Sequence, residues 1–344
     1  MATPQLKAPF PYFGGKSKIA PMVWERFGRV SNFVEPFFGS GAVLLGCSWP
    51  GHTETVNDAD GLLANFWRAL RADPDAVAEY ADYPVCELDL HARHRWLVAQ
   101  RADVERLLAD PDWYDVKIAG WWAWGISQWI GSGWCPPEGA RGRRGGLPHT
   151  RPSVGGSGDR THHGLGVHRA SLASTADVGE LPYQLPHVGN TGMGLHRASE
   201  SHALRDYLRA LADRLRRTRV VCGDFARVLS PSVTWRHGQT AVFLDPPYDR
   251  AQRASVYAVE TDAAPRARAW AIEHGDNPLL RIALCGYDGE HAMPDGWKPL
   301  RWKAAGGYGS QGAGRGRENA AREVVWFSPH CLDFDALPMF AAEA

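Results

Sequence analysis

The chain has 344 residues, and its 38 Lys+Arg balance its 38 Asp+Glu, so the formal net charge is zero with His neutral. Hydrophobic residues make up 44% and charged residues 22%, which is ordinary for a globular protein and argues against a fibrous or wholly disordered one. No apolar run approaches the roughly 20 residues that span a bilayer, and no signal-peptide core follows Met1, so a membrane or secreted protein is not expected.

The cysteines indicate a reducing compartment. The six Cys lie far apart in the sequence and form no C-x-x-C pair. That spacing is typical of reduced thiols rather than of a disulfide framework or a zinc site, and it predicts a cytoplasmic protein.

Short strands and helices alternate at the two ends of the chain. Strands are predicted at Ser31–Val34 and Thr53–Val56, and an apolar-periodic helix is predicted at Gly61–Arg71. Four further strands are predicted after residue 218, at Arg219–Cys222, Ala241–Leu244, Arg281–Leu284 and Glu323–Phe327. These runs are apolar without alternation, which favours a mostly parallel sheet buried on both faces, hence an α/β fold.

The stretch between these ends has a different composition. The simplest organisation is one α/β domain in two parts, 1–85 and 219–335, interrupted by an insertion at 86–218 and followed by a tail at 336–344. Inside the insertion, an eight-residue pattern at 164–171 recurs at 192–199, 28 residues later. Two copies are too few for a solenoid, so a duplicated loop or hairpin is the better interpretation.

A carboxylate and two glycines follow the first predicted strand. Glu35 ends the strand, and Gly39 and Gly41 form a G-x-G turn before a helix predicted from Ala42. Glycines allow close backbone approach to a ligand at the carboxyl end of a strand, where open α/β sheets bind ligands. Leu44 occupies the place of the third glycine of the dinucleotide fingerprint, so a plain strand-to-helix turn is an equal alternative.

An acidic residue follows the second predicted strand. Asp58 lies 17 residues after Gly41. An acid at about this distance commonly accepts hydrogen bonds from ribose hydroxyls. Alone it would more often cap a helix, but with the G-x-G turn before it the nucleoside interpretation is favoured.

The most informative motif ends the strand at Val242–Leu244. Asp245 follows that strand, and Pro246, Pro247 and Tyr248 come next. The prolines fix φ and remove two backbone donors, so their carbonyls and the Asp245 carboxylate can accept the two N–H bonds of an exocyclic amino group. Tyr248 offers a flat face on which a base can stack. The alternative, a Pro-rich strand exit with a capping Asp, is disfavoured by the buried strand and the two upstream motifs.

The chain resembles the Dam-like (alpha-group) adenine-N6 DNA methyltransferases in five motifs, which in chain order are Pro11–Lys16, Glu35–Gly41, Asn57–Asp58, Cys222–Phe225 and Asp245–Tyr248. The resemblance covers 9–85 and 219–330, about half of the chain, and implies a Rossmann-like methyltransferase fold with S-adenosylmethionine as cofactor. The implied catalytic residues are Asp245, Pro246, Pro247 and Tyr248. The implied cofactor-binding residues are Tyr12, Gly14, Gly15, Lys16, Glu35, Phe37, Gly39, Gly41, Asp58, Asp224 and Phe225.

The resemblance assigns roles to residues that are ambiguous alone. Lys16, otherwise a solvated loop lysine, would pair with the cofactor carboxylate as a point charge. Tyr12, otherwise a core residue, would neighbour the cofactor. Asp224, in a Gly-Asp-Phe element, would face the cofactor adenine, although alone it could equally cap a helix beginning near Phe225.

The resemblance also implies the reaction. Asp245 and the Pro246 carbonyl would accept the amino N–H bonds of an adenine that has left the duplex stack, and the methyl group would pass directly to N6. No metal is expected, and a stand-alone bacterial or phage enzyme is expected because nothing in the chain resembles a nuclease domain. The alternatives are a cytosine-N4 or RNA amino-methyltransferase and an inactive DNA-binding relative. The Asp-Pro-Pro-Tyr motif favours adenine, and the intact motifs argue against inactivity.

The insertion carries most of the residues predicted to contact double-stranded DNA. From Cys135 to Arg219 there are 13 Arg, no Lys and 7 Asp+Glu, a net charge of +6 that the neutral total conceals. A Trp-rich block from Trp113 to Trp134 is more typical of helix packing, with base stacking by Trp134 as the alternative. The predicted DNA contacts are Arg141, Arg143, Arg144, Arg151, Trp134, Arg315 and Arg317.

Overall fold

The computed structural model describes residues 6–12, 15–49, 52–104, 106–110, 112–129, 134–135, 201–248, 262–302 and 323–333. The strands within these ranges are β1 (Asn32–Glu35), β2 (Thr53–Asp58), β3 (Thr218–Cys222), β4 (Thr240–Leu244), β5 (Leu280–Tyr287), β6 (Lys298–Arg301) and β7 (Glu323–Phe327). They form one sheet in the order β3-β2-β1-β4-β5-β7-β6.

The sheet is mostly parallel, as the sequence predicts. β3, β2, β1, β4 and β5 run parallel to their neighbours, whereas β7 is antiparallel to β5 and β6 is antiparallel to β7. Every residue of β1, β4 and β7 is buried, which explains their unalternating apolar sequences. The predicted α/β class with a Rossmann-like methyltransferase fold is confirmed.

One described strand has no counterpart among the predicted ones. β6 is short, largely exposed and polar, and it lies at the edge of the sheet. Its sequence lacks the apolar run that marks the central strands, because an edge strand has little contact with the core.

The helices cover the sheet and form a further layer. Their bounds are α1 (Ala20–Phe27), α2 (Ala42–Leu45), α3 (Gly61–Ala72), α4 (Pro74–Ala81), α5 (Glu87–Ala99), α6 (Arg101–Val104), α7 (Arg106–Ala109), α8 (Val116–Gln128), α9 (Ser201–Arg214) and α10 (Ala263–His274). The predicted helix at Gly61–Arg71 is confirmed as α3. Asp60 caps α3 by accepting a hydrogen bond from the Leu62 amide at 3.0 Å.

The Trp-rich block packs the helical layer together. α8 lies against both α3 and α4, with α5 and α9 beside them. Within α8, the Trp122 ring is buried and meets Phe10 edge-on, with ring centroids 5.1 Å apart. The packing interpretation of this block is therefore confirmed, and the described helices of the predicted insertion share a layer with α3 and α4.

Trp134 takes part in this packing. Its side chain is 6% exposed, its indole N–H donates to the Trp122 carbonyl at 3.2 Å, and its ring fills the space over Gly125. Trp129 lies against it at 5.2 Å between ring centroids. This placement favours the packing interpretation of Trp134, and stacking on a base would require that the ring first be uncovered.

Several predicted features lie outside the described residues. These are Gly14, the echo at 164–199, and the arginines Arg141, Arg143, Arg144, Arg151, Arg315 and Arg317. All six Cys are described, and each is a free thiol. Within the described ranges, the helices are too short or too polar to cross a bilayer.

Candidate active site

A cavity of about 380 Å³ opens at the carboxyl ends of the parallel strands. The chain runs from β1 outward to β2 and β3 on one side, and from β4 to β5 on the other. Such a reversal of strand order leaves a crevice where ligands bind in open α/β sheets. The cavity lining includes the predicted residues Tyr12, Gly15, Lys16, Glu35, Phe37, Gly39, Asp58, Asp224, Phe225, Asp245 and Pro247.

The turn after β1 requires its two glycines. Gly39 has φ 50° and Gly41 has φ 70°, a backbone region that residues with a Cβ rarely adopt. A Cβ on Gly39 would also come within 2.7 Å of the Tyr12 ring, and one on Gly41 within 2.8 Å of the Phe38 ring. The glycines thus permit the turn and its aromatic packing, and the turn itself borders the cavity.

Asp58 is held by the backbone at the end of β2. One carboxylate oxygen accepts from the Gly39 amide at 3.0 Å, and the other accepts from the Asp60 amide at 2.9 Å. Burial raises the pKa of Asp58 to about 6, against these hydrogen bonds, which lower it. Since Asp60 caps α3, the helix-cap alternative for Asp58 is not realised, and its carboxylate faces the cavity.

Asn57 organises the same edge, and the sequence interpretation missed it. Its buried side-chain amide donates to the Pro36 carbonyl and to the Gly223 carbonyl, each at 3.0 Å. It therefore joins the loops that follow β1 and β3. A polar residue at the end of an apolar strand was the available signal, but its partners are distant in sequence.

Asp224 both caps a helix and lines the cavity. Its carboxylate accepts from the Ala226 amide at 2.9 Å, at the start of a short 3₁₀ helix, and forms two hydrogen bonds with Arg266 of α10 at 2.9 and 3.0 Å. These Arg266 bonds hold the pKa of Asp224 below its usual range. Next to it, the Phe225 ring lies 5.0 Å from the Phe37 ring.

Glu35 is a buried acid at the end of β1. Its carboxylate accepts a hydrogen bond from the Leu44 amide at 3.2 Å. Burial raises its pKa well above the usual range, and the negative charges of Asp245 and Glu54 add to the increase. A buried carboxylate in such surroundings favours a cation, which would restore its charged form.

Lys16 lies among the groups at the other end of the cavity. Its side chain is 4% exposed, so the solvated-lysine alternative is excluded. Its ammonium is 3.0 Å from a carboxylate oxygen of Asp245, 3.0 Å from the Tyr248 hydroxyl and 3.4 Å from a carboxylate oxygen of Glu323. Pairing of Lys16 with a cofactor carboxylate stays a prediction.

Tyr248 is tied to the acid that precedes it in the motif. Its hydroxyl donates to the second carboxylate oxygen of Asp245 at 3.1 Å. Its ring is 4% exposed and meets Tyr287 edge-on, with ring centroids 4.6 Å apart. Stacking of a base on Tyr248 therefore requires that the ring first be uncovered.

Glu323 is the second site residue that the sequence interpretation missed. It begins β7, and because β7 runs antiparallel to β5, this first residue lies beside Tyr287 at the carboxyl end of β5. Burial raises the pKa of Glu323, the Asp245 charge raises it further, and Lys16 opposes both effects. The sequence does show an acid at the start of a predicted apolar strand, but that pattern does not reveal the direction of the strand in the sheet.

Neither a metal site nor the arginines predicted to contact DNA are found among the described residues. Among the described residues, His, Cys, Asp and Glu side chains do not assemble into a group of three that could hold a metal ion. The arginines predicted to contact DNA lie in ranges that the structure does not describe, so their placement stays a prediction.

Comparison with known proteins supports the motif assignment. Residues 12–93 match the family model of the D12 class N6 adenine-specific DNA methyltransferases. That range contains the predicted cofactor residues from Tyr12 to Asp58 and ends before Asp224 and Asp245. No curated protein sequence matches the chain. Over these residues the chain is similar to the adenine-specific DNA methyltransferases, and this similarity agrees with the resemblance of its ordered motifs to the Dam-like family.

Proposed function

We propose that this chain transfers a methyl group from S-adenosylmethionine to the N6 amino group of an adenine in DNA. One observation carries the proposal: Asp245 and Pro247 line the same cavity as Glu35, Asp58 and Phe225. The acceptor for an amino group therefore opens directly onto a site whose chemistry suits a nucleoside.

The residues present fit S-adenosylmethionine. The cavity of about 380 Å³ is within the usual size of small-ligand sites. The neighbouring rings of Phe37 and Phe225 would hold a flat purine, the Asp58 carboxylate would hold ribose hydroxyls, and the buried Glu35 carboxylate would hold a cationic group. When bound, S-adenosylmethionine supplies a methyl group on a positively charged sulfur.

The acceptor groups would prepare the adenine amine for attack. The amine is a poor nucleophile because its lone pair is delocalised into the ring. The Asp245 carboxylate and the Pro246 carbonyl would each accept a hydrogen bond from the amino group. These two hydrogen bonds would localise the lone pair on the nitrogen. As the new N–C bond formed and the methyl–sulfur bond broke, positive charge would pass from the sulfur, left as a neutral thioether, to the nitrogen. The Asp245 carboxylate would stabilise that charge and take up the amino proton.

Access to this position requires that the adenine leave the duplex stack. Tyr248 would supply the stacking surface once its ring is uncovered. The basic stretch from Cys135 to Arg219, within the proposed recognition insertion 86–218, and the arginines Arg315 and Arg317 would contact the phosphate backbone. Both a defined target site and relaxed specificity are compatible with this arrangement.

The test begins with the product. The purified chain is incubated with S-adenosylmethionine and unmodified DNA, and the nucleosides from a complete digest are analysed by mass. N6-methyladenine is the expected product. N4-methylcytosine, or methylation of RNA alone, would contradict the proposal.

The acceptor role is tested with Asp245→Ala. We expect turnover to fall by about a thousandfold or more, since positioning and electrostatic terms together contribute several kcal/mol. S-adenosylmethionine should still bind, as measured by calorimetry. Asp288→Ala, which removes an exposed acid paired with Arg301, is the matched control and should be fully active. Near-normal turnover in Asp245→Ala would refute the assigned role.

A further inference from the structure

The buried Lys16 ammonium lies between the buried Glu323 carboxylate and the partly buried carboxylate of the cavity residue Asp245. Lys16 contributes the ammonium, which is 3.0 Å from Asp245 and 3.4 Å from Glu323. The Tyr248 hydroxyl lies within 3.1 Å of Asp245 and 3.5 Å of Glu323, so it connects the same two acids. The Asp-Pro-Pro-Tyr motif explains Asp245 and Tyr248, but it does not explain the second acid.

We propose that Glu323 is a positioning residue for methyl transfer: it shares the Lys16 ammonium with Asp245 and so keeps the Asp245 carboxylate an effective acceptor for the amino group of the substrate. This inference rests on the proposed function, because the acceptor role of Asp245 does. It adds a residue from β7 that no motif contains.

In the absence of Glu323, Lys16 and Asp245 would form a simple ion pair. A single ammonium in direct contact with Asp245, in surroundings shielded from water, would take up much of the negative charge that the amino group needs. A second carboxylate on the same ammonium divides that positive charge between two acids. Asp245 then stays fixed by Lys16 and retains more of its strength as an acceptor.

Within the described part of the chain, three other groups near Asp245 do not supply this balance. Cys285 of β5 is buried, and burial raises the pKa of its thiol well above the usual range, so it adds no negative charge near neutral pH. Tyr287 contributes a ring against Tyr248. Glu35 approaches from β1, and its carboxylate accepts a hydrogen bond from the Leu44 amide, whereas that of Glu323 pairs with Lys16. Glu323 is the acid in direct contact with the ammonium that Asp245 uses.

A purely structural role for Glu323 is the competing explanation. Its ion pair with Lys16 also joins β7 to the N-terminal segment, so loss of the carboxylate could simply loosen the fold. A structural defect would lower stability or binding, but it would not shift the pH dependence of turnover in a direction set by the charge that was removed.

The main experiment uses Glu323→Gln in the full chain, with turnover measured from pH 5 to 9 at saturating S-adenosylmethionine and DNA. We expect kcat to fall about tenfold, with KM for DNA and the cofactor dissociation constant within about threefold of wild type. The acid limb of the kcat profile should move to lower pH, because the variant no longer carries the Glu323 carboxyl group, whose pKa burial raises.

Lys16→Gln provides the opposite change. Without the ammonium, the two acids repel each other, so the acid limb of kcat should move to higher pH. Asp288→Asn, which removes an exposed negative charge after β5, should leave both kcat and the limb unchanged. Opposite shifts of the acid limb in Glu323→Gln and Lys16→Gln would support the arrangement in which Asp245 and Glu323 share the Lys16 ammonium.

Several outcomes would overturn the proposal. Wild-type kcat and an unmoved acid limb in Glu323→Gln would remove any role for Glu323 in turnover, as would shifts of the same sign in both variants. If Glu323→Gln fails to bind S-adenosylmethionine, Glu323→Asp is measured instead. This variant retains the negative charge, so its acid limb should stay at the wild-type position while kcat falls. An acid limb displaced to lower pH in Glu323→Asp would refute the proposed role of Glu323. Formation of N6-methyladenine by the wild-type chain is measured first, so that a failure of the proposed function is distinguished from a failure of the Glu323 proposal.

Discussion

The two ends of the cavity are held in place by different kinds of interaction. The cofactor end, defined as Glu35, Gly39, Asp58, Asp224 and Phe225, is fixed largely by hydrogen bonds from nearby backbone amides to its carboxylates. The acceptor end, defined as Lys16, Asp245, Tyr248 and Glu323, is fixed by side-chain contacts between residues that are far apart in the sequence.

This difference has a consequence for charge. At the cofactor end, Glu35 and Asp58 are buried acids with backbone donors, and burial raises the pKa of each. Their ionised forms therefore gain most from a ligand that carries hydroxyl or cationic groups. At the acceptor end, Lys16 already balances the acids, so that end is electrostatically arranged before a substrate arrives.

The largest effect expected at the cofactor end comes from Asp58→Asn. Hydrogen bonds to a charged group are worth about 1.5–3 kcal/mol, so we expect the dissociation constant of S-adenosylmethionine to rise about thirtyfold. Saturating cofactor should restore kcat to within about threefold of wild type, because the acceptor end is unchanged. Titration calorimetry and steady-state kinetics measure the two quantities. A loss of kcat at saturation would show that the two ends are not independent.

The pH dependence of cofactor binding should follow Asp58. Its pKa of about 6 means that the carboxylate is ionised at pH 8 and largely protonated at pH 5. Because the anion is the better acceptor of ribose hydroxyls, the dissociation constant should increase about tenfold as the pH falls across this range.

Asp58→Asn is the control for that pH series, and its binding should lose the part of the pH dependence that belongs to Asp58. A persisting dependence in the variant would assign the titration to Glu35 instead. Affinity that improves as the pH falls would contradict the expected sign for both acids.

The smallest effect is expected from Arg266→Ala. Arg266 and Asp224 form an exposed ion pair at the rim of the cofactor end, and water screens such pairs strongly. We expect the dissociation constant of S-adenosylmethionine to change by less than about threefold, measured by the same calorimetry at pH 8. A tenfold or larger loss of affinity would make Arg266 part of the cofactor site and extend that end onto α10.

The fold was largely predictable because its central strands carry a strong signal. β4 and β7 are apolar runs whose residues are all buried, and β1, β2, β3, β4, β5 and β7 each lie within a few residues of their predicted positions. β6 was not predictable, because an exposed edge strand needs no such run. Strand order and the direction of β7 also depend on pairing between distant segments, which a single sequence does not encode locally.

Some residues of the site were likewise predictable from the sequence, and others were not. Glu35, Asp58, Asp224 and Asp245 each lie at or just after the carboxyl end of a parallel strand, so their proximity at one edge follows from parallel strands alone. Asn57 was missed because its two acceptors belong to other loops, and Trp134 was better explained by packing that only the assembled helices reveal.

The sequence by itself determined the α/β class, the motif order and the acids at the strand ends, since these depend on local apolar patterning and turn chemistry. Only the tertiary structure decided that Lys16 is buried between Asp245 and Glu323, because that contact requires an antiparallel β7 to bring its first residue to the carboxyl edge of the parallel strands. Separation along the chain does not show that these residues are in contact, whereas the register of the sheet does.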